Sequence, residues 1–149
     1  MIDKFEIKLG EEAIGKRIRA ILGVPEAILT NEIISSSIFK KQAENFINKN
    51  IAEFLELIDK NNTNLLEISS MYYIAYLLCS GMDARLPKQM ENLSTKTVLN
   101  SINWDEKAIE MLNMANEILE EFLEDYSDDN GYNTFADLSD EMEYPETNI

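Results

Sequence analysis

The stretch Asp125–Asn133, DYSDDNGYN, is the one place in this 149-residue chain whose residue types and spacing come near a metal site. A helix-loop-helix calcium loop asks for oxygen ligands at positions 1, 3, 5 and 12 with glycine at 6. Setting Gly131 at 6 puts Asp128 at 3, Asn130 at 5 and Asp137 at 12, but Tyr126 falls at 1 and polar Asn133 at 8. A tyrosine stands in for the first ligand and an aspartate for the bidentate glutamate, so the match is partial and no metal is assigned.

Other chemistry is limited by composition. The chain has no histidine, which removes the usual general base, the usual zinc ligand and the histidine-dependent triads together. Carboxylates on helices bring to mind a di-iron bundle, yet such sites use Glu-x-x-His pairs that this sequence does not contain. The five scattered glycines make no phosphate loop, and there is no Gly-x-Ser-x-Gly elbow. Cys79, the single cysteine, lies in the apolar run MYYIAYLLC and reads as a small buried hydrophobe. The expectation is a protein without catalytic residues, cofactor or metal.

Charge is the most distinctive bulk property. The formal net charge is −15, and all 13 Lys and Arg lie at or before Lys107, where 15 Asp and Glu nearly balance them. After Lys107 come 13 carboxylates and no base. That distribution argues against gripping phosphates and marks the last helix and the C-terminal segment as acidic. No run approaches the length of a membrane span, and the N-terminus lacks the order of a secretory signal, so a soluble protein made in the cytoplasm is expected.

The elements follow from periodicity. Phe5, Ile7 and Leu9 alternate weakly, as a short strand or an extended arm would. Ile14, Ile18, Ile21 and Leu22 have helical spacing, with Lys16, Arg17 and Arg19 on a solvated face and Gly23 as the stop. TNE (residues 30–32) reads as a polar bridge, and Ser35, Ser36 and Ser37 are N-cap candidates for a helix with the stripe Phe39, Ala43, Phe46, Ile47, Phe54 and Ile58. A kink is expected near Asn48–Asn50, and Asp59–Asn64 reads as a loop. Residues 65–80 are apolar nearly all round, which places that helix in the middle of a bundle with Gly81 at its end. Tyr72, Tyr73 and Tyr76 along it read as packing.

Asp83–Ile102 shows no clean period and reads as a long loop or short β-hairpin, long enough to serve as a contact surface. The last helix opens with Asn103 as cap and Glu106 as the other half of a capping box, with Trp104 as a packing anchor. Its stripe is Ala108, Leu112, Ala115, Leu119 and Phe122, fading at Glu124–Gly131. The expected architecture is all-α: a small bundle of about four helices over residues 1–123, with a loop or hairpin before the last helix, and an extended acidic tail over 124–149.

Three stretches together resemble the small head-tail connector (adaptor or head-completion) proteins of tailed bacteriophages. They are Ile21–Ile51, with its GVP turn and paired-serine helix entry; YYIAYLLCSGM, Tyr72–Met82; and NWDEKAIEMLNMANEILEEF, Asn103–Phe122. The resemblance covers about two thirds of the chain and consists of packing patterns. It implies a virion protein with no catalytic role, whose protomers form a ring, commonly a dodecamer, beneath the portal protein. Such a ring extends the DNA channel without binding DNA specifically and offers an attachment site to the tail or to a stopper or tail-terminator protein. It further implies a portal-docking segment, Thr134–Ile149, anchored by Phe135, Leu138, Met142, Tyr144 and Ile149. The loop meeting a neighbouring subunit or the tail would carry Arg85, Leu86, Lys88, Lys96 and Leu99. The long acidic end departs from short-tailed members of that family. The acidic segregation also suits a protein of another class, a regulator or DNA mimic that occupies a basic nucleic-acid-binding partner.

Overall fold

The computed structural model describes residues 4–59, 61–82 and 102–129, residues 126–129 by backbone alone. Among the described residues every regular element is helical: α1 (Glu11–Leu22), α2 (Asn31–Ile34), α3 (Ser37–Ile51), a 3-10 turn (Ala52–Phe54), α4 (Asn64–Cys79) and α5 (Trp104–Asp129). The expected all-α class is therefore observed.

Helix α1 carries Glu11 and Glu12 in its first turn and Arg19 in its last, both favourable to the helix dipole. It buries Ile14, Ile18 and Leu22 and stops at Gly23, whose φ of 70° is left-handed and whose N–H donates to the Arg19 carbonyl at 2.8 Å. The stop expected from the sequence is the observed one.

The polar bridge at Thr30–Glu32 is instead the start of a helix. Thr30 Oγ1 accepts from the Ile33 N–H at 3.4 Å, and the single turn α2 buries Ile34. What holds this turn is its neighbour. Gly15, buried in α1, lies so close to Asn31 that a Cβ there would collide with the Asn31 amide oxygen. That oxygen accepts from Arg19 Nη1 at 2.7 Å, and the same nitrogen donates to the Leu29 carbonyl at 3.1 Å. Arg19 therefore leaves the solvated basic face expected for it, while Lys16 and Arg17 remain exposed.

Helix α3 begins after Ser36, whose side chain makes no capping bond, and buries Ala43, Ile47 and Ile51. The expected kink at Asn48–Asn50 is displaced: the helix runs to Ile51 and tightens into the 3-10 turn that buries Phe54. Asn48 Nδ2 and Asn50 Nδ2 donate to the carbonyls four residues back, Glu44 O at 2.9 Å and Phe46 O at 2.8 Å, so these asparagines stay compatible with helix.

The remaining helices form the centre. Helix α4 buries Leu66, Ser69, Ser70, Met71, Ile74, Ala75, Leu78 and Cys79, and α1, α3 and α5 all pack against it. Its closest partnership is with α5, where Ser69 Oγ donates to the Ala115 carbonyl at 2.8 Å across two small residues. Ser70 Oγ is satisfied by Glu67 O at 2.6 Å within its own helix. Helix α5 is capped by Asn103 Oδ1, which accepts from the Asp105 and Glu106 N–H groups at 3.1 and 3.2 Å. The other half of the expected box, Glu106 reaching back, is not made among the described residues. Trp104 is buried as anticipated, but its indole N–H has no acceptor among the described residues. The inward face of α5 carries Met111, Ala115, Leu119, Phe122 and Leu123, with Ala108 and Leu112 only half-buried. The helix continues to Asp129, across the 123/124 boundary and beyond the point where its apolar pattern fades.

Candidate interaction surfaces

No cluster of three His, Cys, Asp or Glu side chains among the described residues is placed to hold a metal. The calcium register meets a backbone obstacle: its positions 1 to 3, Tyr126–Asp128, are helical, whereas a calcium loop leaves the helix there to wrap the ion. Cys79 is buried, and burial pushes its thiol up from 9.0 to about 11; the nearby Lys107 lowers it and Glu110 raises it further. A thiol held protonated in an apolar site is a packing group, as its sequence context indicated.

The tyrosine row is likewise engaged in packing. Tyr73 stacks on Phe46 with ring centroids 4.3 Å apart, joining α4 to α3, and meets Tyr76 edge-on at 5.4 Å. Burial, and then the neighbouring Tyr76, raises the Tyr73 hydroxyl above its ordinary range.

Residues 4–9 form an extended arm rather than a strand. Phe5 and Ile7 are buried, while Lys4, Glu6 and Lys8 point to solvent. Helix side chains take the place of a partner strand. Phe5 N–H donates to Asn48 Oδ1 at 2.6 Å and Asn48 Nδ2 returns a bond to Phe5 O at 3.0 Å. Ile7 N–H donates to Glu44 Oε2 at 2.8 Å, and Lys8 N–H to Glu67 Oε1 at 3.2 Å. Burying Phe5 and Ile7 contributes roughly 1.5–3 kcal/mol each, enough to hold an arm that lacks a sheet.

Among the described residues, two helix faces carry an isoleucine more than half exposed. On α5, Glu106, Ile109, Glu110, Asn113, Met114 and Glu117 line a shallow groove of about 440 Å³. Ile109 is 61% exposed at its centre. On α3, Ile38 is 63% exposed, and Lys41, Gln42, Asn45 and Lys49 are exposed along the same side. The ion pair found among the described residues, Lys4 to Glu6 at 3.6 Å, lies in the arm, so the carboxylates of α5 are not neutralised within the described part of the chain.

The residues proposed from the connector resemblance, Arg85, Leu86, Lys88, Lys96 and Leu99 in the loop and Phe135, Leu138, Met142, Tyr144 and Ile149 in the tail, lie outside the described residues. The residues that organise the described surface include Glu44, Gly15, Ile38 and Ile109, none of them singled out from the sequence, and Asn48, which was read there only as part of a kink. Two of them carried a signal: Ile109 falls off the apolar register of its helix, and Ile38 lies on the far side of α3 from Ile47.

No helix of the described residues is long and apolar enough to cross a membrane. No protein-family model, curated protein or solved structure matches the chain.

Proposed function

We propose that this chain is a head-tail connector subunit of a tailed bacteriophage, a non-catalytic assembly protein of the virion. The observation that carries the reading is one of order. The three stretches that resemble the family fall on the end of α1 through α3, on α4 with the turn after it, and on α5, and the second, read as the family's central apolar helix, lies on the helix against which α1, α3 and α5 pack. On this reading, protomers form a ring, commonly twelvefold, against the portal protein. Thr134–Ile149 docks on the portal through Phe135, Leu138, Met142, Tyr144 and Ile149, and Arg85–Leu99 meets a neighbour or the tail. An acidic outer helix suits a channel component past which DNA slides without being gripped.

The test is to measure the mass of the purified protein alone and mixed with its portal, and to image the mixture by electron microscopy. A ring on the portal vertex is expected, and removing residues 134–149 should abolish binding while leaving the helical signal intact. A chain that never joins a portal ring overturns the reading.

The exposed carboxylates of α5, Asp105, Glu106, Glu110, Glu117, Glu120, Glu121, Glu124 and Asp125, favour a second reading, an acidic regulator or DNA mimic that occupies a basic protein. It predicts binding to such a partner that weakens steeply between low and high salt; salt-independent binding counts against it.

A further inference from the structure

Helices α3 and α5 each present an exposed stripe with the same spacing. On α3 it is Ile38, then Lys41, Gln42, Asn45 and Lys49; on α5 it is Glu106, then Ile109, Glu110, Asn113 and Glu117. Each stripe carries one isoleucine more than half exposed, first in order on α3 and second on α5, and an asparagine at the fourth place of both, and the charges are opposite: two lysines on one, three glutamates on the other. Both helices pack on α4 and make no comparable contact with each other, so among the described residues the two stripes are separate surfaces that do not cover one another.

We infer that the basic stripe of α3 in one copy docks on the acidic stripe of α5 in the next, with Ile38 and Ile109 as the apolar contacts. Two different faces of one chain joined in this way make a head-to-tail interface, which repeats from copy to copy and closes into a ring when the rotation permits. The apolar contact supplies the part of the attraction that salt does not screen; the Lys and Glu rows set the register and exclude the like pairings α3 on α3 and α5 on α5. The inference goes beyond the connector reading, since it needs only the two faces and holds for any self-assembling role.

Charge reversal tests it, because every residue involved is exposed and can be changed without disturbing the core. One variant carries Lys41→Glu and Lys49→Glu, leaving both faces acidic; the other carries Glu110→Lys and Glu117→Lys, leaving both basic. Sedimentation velocity over a concentration series, with circular dichroism confirming helix content, is the readout. The wild-type chain is expected to self-associate. Each variant alone should associate at least about tenfold more weakly, and the equimolar mixture should regain association, since the acidic α3 of one now meets the basic α5 of the other. A wild-type chain that stays monomeric, variants that associate as well as wild type, or a mixture that does not recover each overturn the inference. These outcomes separate from the connector test: a monomer that still joins a portal ring sinks this interface and leaves the connector standing, while charge-reversible association without portal binding does the reverse.

Discussion

The carboxamide of Asn48 holds the backbone of Phe5 on both sides, accepting from its N–H at 2.6 Å and donating to its carbonyl at 3.0 Å. One side chain thus does for the arm what a neighbouring strand does in a sheet, and the Phe5 ring is seated in the core as a result. The arm is tied to α3 and, through Glu67, to α4.

Replacing Asn48 with alanine leaves the part-buried Phe5 N–H without its acceptor, and the expected loss is about 1–3 kcal/mol. Urea denaturation measures the loss, and hydrogen exchange at Phe5 and Ile7 shows whether the arm opens before the bundle. Asn48→Asp keeps an acceptor for the Phe5 N–H but offers no donor to the carbonyls, so its loss should be intermediate. Equal stability and unchanged exchange in Asn48→Ala would show that burial of Phe5 and Ile7 alone positions the arm.

Gly15→Ala sets two effects against each other. In an open helix interior the change gains about 1 kcal/mol from propensity. Here the new methyl meets Asn31, whose side chain is pinned by Arg19, and the Arg19 guanidinium itself lies 3.1 Å from the added carbon. Packing should win, with a net loss of about 1–3 kcal/mol. The double variant Gly15→Ala with Asn31→Ala should be less destabilised than the sum of the two single changes. Strictly additive losses in thermal or urea unfolding would place the clash elsewhere.

Cys79 gives a pH signature. With the folded thiol at about 11 against an ordinary 9.0, the unfolded chain ionises first as pH rises. Above that ordinary value the unfolded state therefore binds fewer protons than the native one, so stability is unaffected below pH 9.0 and falls as pH climbs toward about 11. The Cys79→Ala variant should lack this component of the loss. At pH 8 the native thiolate fraction is about a hundredfold below that of the unfolded chain, and a disulfide reagent should label native protein correspondingly slowly. Rapid labelling of native protein would show that α4 and α5 part more readily than their packing suggests.

Periodicity was enough to place α1, α3, α4 and α5, because each buries a stripe or a whole surface and helical spacing records that demand along the chain itself. Gly23 and Asn103 marked ends that the structure keeps, since capping is a local matter of one conformation or one side chain. The burial of Cys79 and Trp104 was legible for the same reason. Of the candidate surface, only the acidity of α5 could be read directly.

What the chain by itself determined, then, is its all-α class, the centrality of α4 and the segregation of charge, all of which follow from residue type and local spacing. Tertiary structure alone decided the rest: that Phe5 and Ile7 lie in an arm clamped by Asn48 and Glu44, that a four-residue α2 forms at all, and that Gly15 must lack a side chain. Each depends on a partner far away in sequence, 43 residues for Phe5 and Asn48 and 37 for Ile7 and Glu44. A long-range contact leaves no period in the chain, because only folding brings its two halves together.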